Sequence, residues 1–248
     1  MIIDTFTFFN ELDLLELRLI ELSQYVDMFV VVEADKTHAG NPKPMYFQEN
    51  LKRYKEWSHK IRRVEVTLPF LPTNGDRWVL ENAQRNAISA GLEGIAGGDV
   101  VLVGDVDEFP KLYSWNGVEG VFQCQETYYK LNLWTRPNRG SWNGTCAVKA
   151  WRFSSPYGSI TPQDVRNCRD LLRPVGFGWH FSWAEDAQTK LASFAHTEAA
   201  IAERVATRVH PATGEPLVPF DVRRSGYPMA IRTNQHRFPH LFAEVTSG

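Results

Sequence analysis

The residues best placed to do chemistry are three carboxylates in the segment VVLVGDVDEF: Asp105, Asp107 and Glu108. Residues 99–103 read as a buried strand, so Asp105 falls at its carboxyl end, where open α/β sheets bind their ligands. Residues two apart in an extended segment point the same way, which predicts that Asp105 and Asp107 share a face. Carboxylates crowded at the end of a buried strand repel one another unless a cation intervenes. Hard oxygen donors suit Mg²⁺ or Mn²⁺. Such an ion bridges carboxylates to a diphosphate and neutralises charge growing on a leaving phosphate. Asp105 and Asp107 are therefore candidate metal ligands, and Asp105 is also a candidate nucleotide contact. The competing reading is a solvated acidic turn, which the apolar run just before it disfavours.

The elements that must position this cluster begin with a βαβ unit. Residues 2–8 are rich in β-branched and aromatic types and predict a strand. Asn10 can cap a helix, with Glu11 and Asp13 in its first turn. Leu12, Leu15, Leu19 and Leu22 then form one apolar stripe. Residues 27–34 (DMFVVVEA) are a nearly continuous apolar run, as in strands covered on both faces. A strand, a helix and a second buried strand imply a right-handed crossover. Residues 36–51 read as a loop and 62–68 as a short strand. Asp76 can cap a second helix that buries Val79, Ala83, Ala87 and Ala90. After Pro110, residues 121–134 and 145–153 read as two long strands separated by RPNRGSWNG, which predicts a mixed or antiparallel extension of the sheet. GFGWHFSW follows, then a helix over 187–206. The tail from His210, with Pro211, Pro216, Pro219, Pro228 and Pro239, is expected to wrap the surface. The fold class expected is α/β, a mixed sheet flanked by helices, in a single domain over residues 1–248.

Composition narrows the function classes. Lys plus Arg number 27 and Asp plus Glu 29, a net charge of −2, which argues against a dedicated nucleic-acid binder. Hydrophobic residues at 43% and charged residues at 23% suit a soluble globular chain rather than a disordered one. No apolar run approaches the roughly 18 residues that a membrane span needs. Peripheral membrane association is compatible with this composition. Met1 leads straight into IIDTFTFFNE without a positive or apolar leader, so a cytoplasmic location is expected. The 3 cysteines, Cys124, Cys146 and Cys168, lack C-x-x-C spacing and predict reduced thiols rather than a disulfide or zinc framework.

Four ordered segments, FTFFNELDLLELRL, FVVVEADKTHAGNPKPMYF, VGDVDEFP and GWHFSW, resemble family 17 of the glycosyltransferases. The similarity is strong over residues 2–110, recurs at 176–183 and fades in the tail. The resemblance implies a GT-A-type, Rossmann-like fold, a nucleotide-sugar half over about 1–110 and an acceptor half over about 111–248. It also implies a UDP-sugar donor, N-acetylglucosamine as the first choice of sugar, and inversion at the anomeric carbon. The partners it implies are a glycan or lipid-linked sugar acceptor. From its GWH segment it implies His180 as a further metal ligand. It places Arg85 where it orients Asp105 or reaches a phosphate, against the plain alternative of a helical pair with Glu81.

Several other residues fit that frame. Asn10 and Glu33, at the ends of the first two strands, are assigned to base or ribose contacts, with helix capping the alternative for Asn10. Lys43, in a Pro-rich loop, is assigned to the diphosphate. Trp142, Trp179 and Trp183 are candidates for stacking on sugars, or for the core. Inversion needs a base to take the acceptor proton. The carboxylates available are Glu108, Glu126, Asp164, Glu185 and Asp186, of which Glu126 and Asp186 are preferred and Glu108 stands close to the expected ion. The rival readings are a nucleotidyltransferase, for which the chain lacks a Gly-rich phosphate loop, and a non-catalytic carbohydrate-binding protein.

Overall fold

The computed structural model describes residues 1–135, 142–154, 159–185, 187–193, 200–223 and 226–245. Asp186, one of the two preferred bases, lies outside the described residues. The chain opens with β1 (Ile2–Phe8), α1 (Leu12–Leu22) and β2 (Met28–Ala34), followed by a short α2 (Tyr46–Glu49) and β3 (Ile61–Val66). Next come α3 (Trp78–Asn86), α4 (Ile88–Gly91), β4 (Val100–Asp105) and β5 (Glu108–Pro110). The second half holds β6 (Gly120–Tyr128), β7 (Leu133–Trp134), β8 (Trp142–Lys149), α5 (Pro162–Asn167) and β9 (Pro174–Ser182). It ends with α6 (Ala187–Ser193), α7 (Ala200–Thr207), β10 (Val218–Pro219) and α8 (Met229–Thr233).

Eight strands form one sheet in the order β3-β2-β1-β4-β8-β6-β9-β5. β1 pairs in parallel with β2 and β4, and β2 with β3, so the expected βαβ start is present. β8 then runs antiparallel to β4 and β6, β9 parallel to β6, and β5 antiparallel to β9. The expected mixed extension is therefore also present. Apolar β1, β2 and β4 follow from burial on both faces. One face packs Phe6, Leu15, Leu19, Phe29 and Leu102, the other Ile3, Val30, Val32, Val101 and Val148. Cys124, Cys146 and Cys168 are free thiols, and among the described residues no helix is long and apolar enough to cross a membrane.

Four expectations need correction. The second helix, expected to bury Val79, Ala83, Ala87 and Ala90, ends at Asn86, leaves Val79 and Ala90 exposed and buries Leu80, Gln84 and Arg85. The helix read over 187–206 is described as two pieces, α6 and α7, with residues 194–199 outside the described set. The tail is not a surface wrap. Phe220, Val222, Tyr227, Ile231, Phe238 and Leu241 pack with Leu14, Leu17, Trp179 and Phe181 in a further apolar cluster. Leu14 and Leu17 lie off the stripe read from the sequence, and a helix apolar on more than one side must be covered on more than one side. Finally, the chain turns at Val106 and Asp107 between β4 and β5, so Asp105 and Asp107 do not share an extended segment.

That turn is held from below. Arg18, in the middle of α1, is fully buried. Its Nε and Nη2 donate to Asp4 on β1 at 2.8 and 2.7 Å. Its Nη1 donates to the backbone carbonyls of Asp105 (3.2 Å), Val106 (3.3 Å) and Glu108. Removing one partner of a buried charged pair strands the other. Arg18→Met is expected to cost about 3–5 kcal/mol in urea unfolding, and adding Asp4→Leu should recover a large part of that loss.

Candidate active site

A cavity of about 480 Å³ opens at the carboxyl ends of the central strands, within the size range of small-molecule sites. Its first wall carries Phe9, Glu11, Lys43, Gln84 and Arg85, from β1, β2 and α3 and the loops after them. The floor is Asp105, Val106 and Asp107, and the second wall includes Glu126, Tyr128, Trp142, His180, Trp183 and Lys190.

The sheet register builds the centre. His180 on β9 lies opposite Glu108 on β5 and Glu126 on β6, so one histidine is flanked by a carboxylate from each neighbouring strand. His180 Nε2 stands 3.8 Å from Asp107 Oδ1, and Nδ1 stands 3.4 Å from Glu126 Oε1, near enough for charge attraction but off the hydrogen-bond direction. Burial disfavours the imidazolium, but Asp107, Glu126 and Glu108 around it outweigh burial and raise its pKa. The indole of Trp142 stacks on His180, with ring centroids 5.0 Å apart, and Arg169 lies 4.0 Å from the Trp142 ring.

The carboxylates of the acidic turn differ sharply in their partners. Asp105 Oδ1 accepts from Arg85 at 2.8 Å and Oδ2 from Arg166 at 3.0 Å. Burial opposes its ionisation, yet the two guanidiniums hold its carboxyl well below the usual range. Glu108 is fully buried and accepts from Arg166, the Trp142 indole and Thr145. It too is held down despite its burial, chiefly by Arg166. Asp107 goes the other way: burial, with Asp105 and Glu108 adding to it, raises its pKa against the pull of His180 and Lys190.

This donor set bears on the expected metal. Both oxygens of Asp105 accept from arginines, so this carboxylate anchors Arg85 and Arg166 while it lines the cavity. Among the described residues, no three His, Cys, Asp or Glu side chains converge as a metal cage. Asp107 and His180 remain, lining the cavity 3.8 Å apart. Mg²⁺-type ions commonly take one or two protein ligands and complete their shell with phosphate oxygens and water. Asp107 and His180 fit an ion of that kind.

The other assigned residues divide. Arg85 lines the cavity and makes both contacts at once, to Asp105 and to Glu81 at 3.0 Å. Lys43 lines the cavity wall, yet its ammonium stands 3.6 Å from Glu33 and 5.6 and 5.2 Å from the ring centroids of Phe9 and Tyr46. Glu33 is not at the cavity: its carboxylate accepts the N–H groups of Phe47 and Gln48 at the start of α2, which accounts for a charge closing an apolar run. Asn10 does not cap α1, and its Oδ1 is buried with no hydrogen-bond partner among the described residues. Trp179 sits in the core, with its indole N–H on the Gly226 carbonyl, whereas Trp183 lines the cavity in a left-handed backbone conformation, φ 60°.

Of the candidate bases, Asp164 closes a capping box with Thr161 at the start of α5. Glu185 accepts the N–H groups of Asp13 and Leu14, at 3.2 and 3.1 Å, and so caps α1 from the far end of the sequence. Glu108 has its oxygens occupied by Arg166, Trp142 and Thr145. Glu126 remains facing the cavity. Burial raises its pKa, but His180 and a hydrogen bond from Tyr128 outweigh burial and keep it ionised. Ala212 and Thr213 donate backbone N–H to His210 Nδ1, so the proton of His210 is on Nε2, which lies 2.9 Å from the Tyr128 hydroxyl.

Sequence reasoning missed Arg166, Lys190, Glu11 as a wall residue, and the Tyr128–His210 pair. Arg166 has no local signal, being one arginine on a short helix. Trp142, read as a turn residue, lies in β8 and braces Glu108.

The family profile described as "Glycosyltransferase family 17" matches residues 1–210, and the chain belongs to this family. Two similar proteins are the human and rat enzymes named β-1,4-mannosyl-glycoprotein 4-β-N-acetylglucosaminyltransferase. The human protein is 29% identical over 211 residues, 70% of this chain and 39% of its own length. The rat protein is 30% identical over 144 residues, 52% of this chain and 26% of its own. The chain thus spans well under half the length of these relatives. Among solved structures, the galactosyltransferase LgtC in complex with donor and acceptor sugar analogues aligns with 100% of this chain and 98% of its own, at 13% identity and a TM-score of 0.36.

Burial lifts the Glu185 carboxyl to about 7, against the backbone N–H groups that favour its anion. The folded protein therefore binds this proton more tightly than the unfolded chain. The stability it contributes is complete below the ordinary glutamate range and is lost as pH rises to about 7. Glu185→Gln should flatten that part of the profile, with wild type falling relative to the variant by on the order of 2–3 kcal/mol across the window in pH-dependent urea unfolding.

Proposed function

We propose that this chain transfers N-acetylglucosamine, or a related sugar, from a UDP-sugar to a hydroxyl of a glycan or lipid-linked sugar, with inversion at the anomeric carbon. The observation that carries this is Glu126. Of the four candidate bases among the described residues, it is the one that both lines the cavity and lacks a guanidinium or helix-end partner there. Its neighbours support the role: Tyr128 and His180 fix its orientation and keep it anionic at neutral pH.

The residues divide the work as follows. The donor lies over the carboxyl ends of β1 and β4, with the diphosphate toward the floor. A divalent ion held by Asp107 and His180 supplies charge neutralisation on the diphosphate when bound. Asp105 and Glu108 fix Arg85 and Arg166 and keep the acidic turn in one shape. Glu126 accepts the proton of the acceptor hydroxyl as its oxygen attacks C1. The bond from C1 to the phosphate oxygen breaks, and UDP leaves with that electron pair. One base on one face suits a single displacement, so no covalent sugar–enzyme intermediate is required.

Incubation with UDP-sugars, watching for UDP release and glycoside formation, tests the reading. Glu126→Gln should leave UDP affinity intact and lower turnover by about 10²–10⁴-fold. A variant that keeps wild-type turnover would remove Glu126 from the reaction.

A further inference from the structure

Lys190 is a cation at the cavity that stands against Glu11 and Asp107 rather than Asp105 or Glu108. Lys190 sits in the middle of α6, with its side chain 4% exposed, and its Nζ lies 2.8 Å from Glu11 Oε1. Glu11 is itself fixed, because its other oxygen accepts the N–H groups of Phe9 and Asn10, both at 3.1 Å, in the loop leaving β1. The same Nζ stands 3.7 Å from Asp107 Oδ2, just past the end of β4. The ammonium is thereby brought over the ends of two adjacent parallel strands, β1 and β4, the place where an open α/β sheet meets its ligand.

Stability gives a poor account of this arrangement. Desolvating a lysine and a glutamate offsets most of what their attraction gains, and an apolar pair of similar volume would serve a cavity wall as well. A compact ammonium suits phosphate as a point charge with three donors.

We propose that Lys190 is a diphosphate-binding residue, its ammonium donating hydrogen bonds to the diphosphate of the nucleotide-sugar donor while Glu11 holds it in place. This rests on the transferase reading above. In the transfer step the C1–oxygen bond to the diphosphate breaks, its electron pair stays on the phosphate oxygen, and the acceptor's proton goes to Glu126. Lys190 faces the phosphate that gains charge and keeps its own protons.

Calorimetric titration with UDP and with uridine, both in EDTA, reads the contact without a divalent ion. Wild type should bind UDP more tightly than uridine. Lys190→Met should lose about tenfold or more for UDP while uridine affinity stays within about twofold, and Lys190→Arg should restore most of the loss. Equal losses for UDP and uridine, or an unchanged ratio, would overturn the assignment. If Lys190→Met fails to fold, the double variant Glu11→Gln with Lys190→Met, which removes both charges of the pair, is titrated in its place and must show the same selective loss. Wild type that does not prefer UDP to uridine in EDTA, or a wild-type preference unaffected by either variant, sinks the Lys190 contact; wild type that shows no preference when the titration is repeated with Mn²⁺ sinks the UDP-donor reading as well.

Discussion

The site depends on one buried guanidinium. Arg18 binds Asp4 through two nitrogens and spends the third on carbonyls of the acidic turn. A turn placed between two strands of one sheet, crowded with carboxylates, has no apolar reason to keep a single shape. Arg18 supplies it by satisfying backbone oxygens that would otherwise face the core. Asp4 is the necessary complement, since an unpaired guanidinium at that depth would be costly. The acidic side chains are thus free to point at the cavity because their backbone is fixed from α1.

Charge compensation follows a second pattern. Five carboxylates in or just behind the cavity lining, Glu11, Asp105, Asp107, Glu108 and Glu126, are met by Lys190, Arg85, Arg166 and His180. The arginines take Asp105 and Glu108, and Arg166 meets the buried Glu108 through two nitrogens, the planar geometry that suits a carboxylate. The lysine and the histidine, whose contacts are longer, border Asp107. Those longer contacts converge on Asp107, which lines the cavity, while the shorter arginine contacts hold Asp105 and Glu108.

Much of this was legible in the sequence because local pattern and burial agree there. The apolar runs of β1, β2 and β4 have the composition of doubly covered strands, and a strand that ends in acids locates the site. Asp105 and Asp107 were picked out for that reason, whereas His180 and Arg85 came from the family resemblance and Glu126 from the need for a base. What stayed hidden depends on contacts distant in sequence. Glu185 caps α1 from more than 170 positions away, and no helix-start rule searches that far. Arg166 meets Asp105 only after the chain has made four further strands. Glu33 misled because a charge closing an apolar run suggests a ligand, whereas a nearby pair of backbone N–H groups suffices. The tail misled because its prolines argue for an irregular path, and irregular backbone can still carry Phe220, Tyr227 and Phe238 inward.

The pairing of β9 with β6 couples active-site assembly to folding fidelity. His180 stands between Trp179 and Phe181, both buried in the apolar cluster under the tail. Adjacent strand residues face opposite sides. Sliding β9 by one position would bring an aromatic ring against Glu126 and press the imidazole into hydrocarbon. A mis-threaded molecule would therefore lose its hydrophobic seal at the same moment as the pairing of His180 with Glu108 and Glu126.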